Sequence, residues 1–67
     1  MFNVNDRVRY YIGVGNFAPG EWIVTDKREA FGDNQWRYTI APNDGAAKAY
    51  YPFNYPITVY EQSLRKI

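Results

Sequence analysis

No apolar stretch in this chain runs far before a turn signal cuts it. The signals fall at Asn5-Asp6, from Gly13 to Gly20, at Phe31-Gly32-Asp33-Asn34, at Pro42-Asn43-Asp44-Gly45 and at Asn54-Tyr55-Pro56. Gly supplies positive φ, Pro fixes φ, and Asn or Asp side chains bond their own backbone, so clusters of them turn the chain. Short segments at this regular spacing are the pattern of an all-β sandwich or barrel. With 67 residues there is room for one domain, spanning 1–67, and none for a doubly wound sheet or a (β/α) barrel.

The segments between the turns alternate with the period of two that puts neighbouring side chains on opposite faces of a strand. In Arg7-Val8-Arg9-Tyr10-Tyr11-Ile12, Val8, Tyr10 and Ile12 share one face and Arg7, Arg9 and Tyr11 the other. Glu21 to Arg28 forms a second strand, with Trp22 and Val24 opposed to Ile23 and Thr25. From Gln35 to Ala41, Trp36, Tyr38 and Ile40 face one way while Arg37 and Thr39 face the other. Ile57 to Tyr60 is the fourth strand and Leu64 to Ile67 the fifth. The polar interruption between them, Glu61-Gln62-Ser63, fits a single 3₁₀ turn. Ala46-Ala47-Lys48-Ala49 can make a helical turn, and Pro52 and Pro56 argue against a central strand around them.

Composition agrees. Val, Ile, Thr, Tyr, Phe and Trp fill 26 of the 67 positions, whereas leucine occurs once, at Leu64. Eight Lys and Arg stand against seven Asp and Glu, for a net charge of +1. Cysteine and histidine are absent, which excludes disulfides, thiol nucleophiles, imidazole bases and thiolate or imidazole metal sites. The expectation is no metal and no cofactor. No apolar run approaches the ~18 residues of a membrane span, and Met1-Phe2-Asn3-Val4-Asn5-Asp6 lacks the pattern of a signal peptide. The chain therefore reads as a soluble protein of a reducing, cytoplasmic compartment, with no membrane partner.

The run "NDRVRYY", the "GEWIVTDK" strand after a glycine-rich loop, the "WRYTI" strand and the closing "ITVYEQSLRKI" together resemble the small SH3-like barrels over nearly the whole chain. That resemblance implies a five-stranded barrel with a long first loop and a 3₁₀ turn before the last strand. Barrels of this kind bind peptides, nucleic acids and cofactors, so fold does not settle function. A more distant resemblance is to the plasmid-type (type B) dihydrofolate reductases, carried by Asp6-Arg7-Val8-Arg9, Gly20-Glu21-Trp22-Ile23-Val24, Ile57-Thr58-Val59-Tyr60 and Leu64-Arg65-Lys66-Ile67. It implies a homotetramer around a shared NADPH-binding pore, with Thr58, Val59 and Tyr60 at the ligand. In that family a lysine stands where this chain has Tyr10, and a glutamine where it has Thr58.

Gly13-Val14-Gly15-Asn16-Phe17-Ala18 matches the G-x-G-x-x-G/A dinucleotide fingerprint. The fingerprint needs a helix directly behind it, and Pro19-Gly20 would break one in its first turns. We read the segment as a loop whose glycines allow positive φ. The carboxylates are scattered through turns and strand ends, so catalysis has little to stand on.

Two features point to binding. Tyr50-Tyr51-Pro52-Phe53-Asn54-Tyr55-Pro56 crowds four aromatic rings between prolines, and tyrosine is enriched at interface hot spots. The leading expectation is a non-catalytic interaction module that holds a protein partner, or a second copy of itself, through Arg9, Tyr11, Arg37, Tyr50, Tyr51, Phe53 and Tyr60. The alternative is single-stranded nucleic acid, since arginines beside aromatic rings suit phosphate contact and base stacking. Arg7, Arg9, Tyr11 and Arg37, with Lys27-Arg28 and Arg65-Lys66, are the residues that motivate it.

Overall fold

A computed structural model describes residues 1–29 and 35–67. The turn expected at Phe31-Gly32-Asp33-Asn34 lies outside the described residues. The chain is mostly strand: β1 (Arg7–Gly13), β2 (Asn16–Phe17), β3 (Trp22–Glu29), β4 (Trp36–Pro42), a six-residue helix α1 (Gly45–Tyr50), β5 (Ile57–Tyr60), a 3₁₀ turn (Glu61–Ser63) and β6 (Leu64–Lys66). The strands form one antiparallel sheet in the order β2-β1-β3-β4-β5, curled into a half-barrel as β6 returns to pair with β1.

Six described strands replace the expected five because the first loop is itself a hairpin. Tyr11 pairs with Phe17 and Gly13 with Asn16, and the two-residue link Val14-Gly15 has positive φ at both positions (51° and 76°). That is the twist a tight hairpin needs, and Val14, 96% exposed, is an unusual residue to supply it. A strand follows the glycines, not a helix, so the dinucleotide reading fails on the geometry stated above.

The alternation predicts the core well. Val8, Trp22, Val24, Tyr38, Ile40, Val59 and Leu64 are buried together with Ala18 and Ala47. Trp22 and Tyr38 are the two largest fully buried side chains, and both have partners for their polar tips. The Trp22 indole N–H donates to the Pro19 carbonyl at 3.2 Å. The Tyr38 hydroxyl accepts from the Phe2 backbone N–H at 3.0 Å and donates to Glu61 Oε1 at 2.7 Å, tying the N-terminal segment and the 3₁₀ turn to β4. Burial, followed by the Glu61 carboxylate, holds the Tyr38 phenol above its ordinary value against the opposing pull of the Phe2 N–H. Ile12, expected on the core face, is exposed because the sheet ladder shifts between Tyr11 and Gly13 as the hairpin turns.

Candidate functional site

Asp44 explains how the loop after β4 is held. Its carboxylate caps α1 by accepting from the Ala47 N–H at 2.9 Å, and its other oxygen accepts from the Glu21 N–H at 3.0 Å. These two bonds, Ala47's first, hold the Asp44 carboxyl below its ordinary value. Gly20, at φ 78°, lies so close that an added Cβ would collide with the Asp44 carboxylate and the Ala47 nitrogen. One side chain therefore fastens the helix to the turn before β3, and Ala47 is buried as a result.

From that anchor the aromatic loop divides. Tyr51 packs toward the core, its ring 6.1 Å from Trp22, and is half-buried. Tyr50 also meets Trp22, edge-on at 6.3 Å, and remains exposed. Beyond them Tyr51, Phe53 and Tyr55 form a three-ring cluster: Tyr51 meets Phe53 at 5.1 Å and Tyr55 at 6.1 Å, and Phe53 stacks on Tyr55 at 5.7 Å. Phe53 and Tyr55 are 55% and 61% exposed. Burial, then the neighbouring Tyr55, raises the Tyr51 phenol above its ordinary value.

The cluster walls a groove of about 480 Å³, closed on the other side by Ala41 and Pro42 at the end of β4 and by Lys48 of α1. Lys48 is the one charged residue among those lining it. Prolines 42, 52 and 56 surround the rings, which fixes much of the backbone before anything binds.

The expected site residues do not form one patch. Tyr51 and Phe53 line this groove; Tyr50 stands outside it. Arg37 and Tyr60 pair across β4 and β5, where the guanidinium lies 5.1 Å from the ring centre and donates to the phenol oxygen at 3.1 Å. Arg9 and Tyr11 sit on β1 beside β6 and β2. Of the three residues implied by the reductase resemblance, Val59 is buried in the core, whereas Thr58 and Tyr60 are exposed. Tyr55 and Lys48 complete the groove although neither was among the expected site residues, Tyr55 being named only as part of the aromatic loop. Tyr55 had the same signal as Phe53, a ring two residues away beside a proline; Lys48 gains its position only through the Asp44 cap.

Among the described residues no three His, Cys, Asp or Glu side chains gather as a metal site would require, and no helix is long and apolar enough to cross a membrane. No family model, curated protein or solved structure matches the chain.

Proposed function

We propose that this chain is a non-catalytic interaction module that receives an extended, proline-bearing segment of a protein partner in the groove between the aromatic loop and the end of β4. The observation that carries the reading is the Tyr51–Phe53–Tyr55 cluster, whose Phe53 and Tyr55 rings are exposed to water on a fold too small to leave aromatic area idle. Exposed rings whose backbone is stiffened by proline suit a preformed polyproline-type ligand, which brings little conformational entropy to lose. Lys48 at the rim favours a carboxylate on that segment. The finer reading of the fold, an SH3-like barrel, belongs to the same proposal; the return of β6 to β1 after a 3₁₀ turn supports it.

The test is titration of the isotope-labelled protein with a proline-rich peptide carrying one glutamate. Amide shifts centred on Ala41, Lys48 and Asn54, lost in Phe53→Ala, are the expected result. No shifts up to millimolar peptide would end the reading. Molar mass by light scattering over micromolar concentrations separates the other occupants. A monomer is expected; a tetramer would turn the groove or a pore into a self-contact and make NADPH the next ligand to try.

A further inference from the structure

The outer face of β1 and β6 carries an arrangement that stability alone does not favour. Arg9 and Arg65 lie directly opposite each other in the antiparallel register, and like charges so placed repel. Among the described residues neither has a carboxylate within ion-pair distance. The Asp44 carboxylate attracts Arg9 from beyond ion-pair distance while accepting from the Ala47 and Glu21 N–H groups, and Glu21 pairs with Arg7 at 3.8 Å. Arg65 is also held in one orientation. Its Nη1 donates to the Gln62 and Leu64 carbonyls at 2.7 and 2.8 Å, and its guanidinium lies 5.2 Å from the centre of the Tyr11 ring. The Nε–Nη2 edge has no acceptor among the described residues, and that edge is the fork that grips two oxygens of one anion.

The rings beside it decide what kind of anion fits. Tyr11 meets Phe17 edge-on at 5.4 Å, and Phe17 is 42% exposed. A pocket of about 510 Å³ opens between Tyr11, Arg65, Gln62 and Ser63. Flat heterocycles can stack on Phe17 while the arginines hold the charged backbone; an acidic peptide would use the arginines and leave the ring idle. We propose that this face binds a single-stranded nucleic acid, with Arg9 and Arg65 on phosphates and Phe17 against a base. This site is separate from the aromatic groove and does not depend on the reading given for it.

Fluorescence anisotropy with a labelled oligothymidylate, at several salt concentrations, tests it. Two phosphate contacts predict a log–log salt slope of about −1.4, falling by about 0.7 in Arg9→Gln. Phe17→Ala should weaken binding about tenfold or more. Because Arg9→Gln relieves the repulsion from Arg65 but also gives up the attraction to Asp44, its thermal midpoint should stay close to wild type while binding falls. Phe53→Ala should bind the oligonucleotide normally, which keeps failure of the groove distinct from failure here. The proposal is overturned by absence of binding at low salt, by a slope unchanged in Arg9→Gln, or by a polyglutamate peptide that competes equally while Phe17→Ala has no effect. Arg65→Gln is a weaker probe, since it also frees two backbone carbonyls.

Discussion

Two aromatic groups in this chain use the same residue types for opposite ends. Around Trp22 and Tyr38 the rings are fully buried, their polar tips are bonded, and Phe2 and Tyr10 pack edge-on against them at 5.5 and 5.4 Å. In the loop, Phe53 and Tyr55 stack on each other in the open, while Tyr50 and Tyr51 before them reach Trp22. The difference is one of backbone. Trp22 and Tyr38 stand on paired strands whose alternation aims them at the core, whereas Phe53 and Tyr55 stand between prolines that cannot join a central ladder. Hydrophobic area alone does not decide what is buried; the chain must also satisfy its peptide groups where it takes that area.

If the buried group is the stabilising one, the largest effect belongs to Trp22→Ala. Truncating a fully buried tryptophan costs about 3–5 kcal/mol, comparable with the whole stability of a domain this small. Circular dichroism should show an unfolded or nearly unfolded chain at room temperature; a cooperative fold of near wild-type midpoint would break the comparison at its root. Tyr38→Phe is the next step down. It keeps the ring and removes the hydroxyl between Phe2 and Glu61, leaving a partly buried N–H without its acceptor, at a cost of about 1–3 kcal/mol. The same hydroxyl gives a pH signature. Its folded-state value lies above the ordinary 10.0, so the folded chain holds this proton more tightly than the unfolded one. That contribution is complete below pH 10 and is lost as the pH rises through the folded value. Denaturant melts above pH 10 should show a loss of stability that Tyr38→Phe lacks.

The buried group was legible in the sequence because strand alternation is a local rule. Val8, Trp22, Val24, Tyr38 and Ile40 all fall where a period of two places them. The hairpin within Gly13–Gly20 was not, because Val14 conceals a positive-φ turn that Asn or Gly would have advertised. Without β2 there was no reason to put Phe17 beside Tyr11. The candidate site was legible only as a crowd of rings. Which of them share a wall depends on Asp44 reaching 23 residues back along the chain to Glu21, a contact with no local signature. Arg37 and Tyr60 pair with each other across β4 and β5 and do not line the groove, a placement set by strand register.

Asp44 also offers the way to move one group toward the other. Asp44→Ala removes the cap of α1 and the tie to Glu21 together, and should lower the thermal midpoint by several degrees. Tyr51 should then lose its fixed approach to Trp22, read as altered near-ultraviolet dichroism. The carboxyl's folded value lies below the ordinary 3.8, so its stabilising effect is complete above that pH and is lost as the pH falls through the folded value. Wild type and Asp44→Ala should therefore converge in acid. Parallel curves down to pH 2 would mean that the bonds to Ala47 and Glu21 do not anchor the loop.

The smallest effect on stability, and the sharpest on the comparison, belongs to Phe53→Ala. The ring is more than half exposed and its main contacts are two other loop rings, so its loss should cost about 1 kcal/mol, the low end for two aromatic pairs. A denaturant midpoint close to wild type, joined to loss of the peptide-induced amide shifts at Ala41 and Lys48, would mark the loop rings as a binding surface carried by a fold that does not need them. A fall of 2 kcal/mol or more would say the reverse. The loop would then be a second piece of core, closing the half-barrel's aromatic end as Trp22 and Tyr38 fill its middle. In that case the groove beside it is a seam of packing, with no call for a partner.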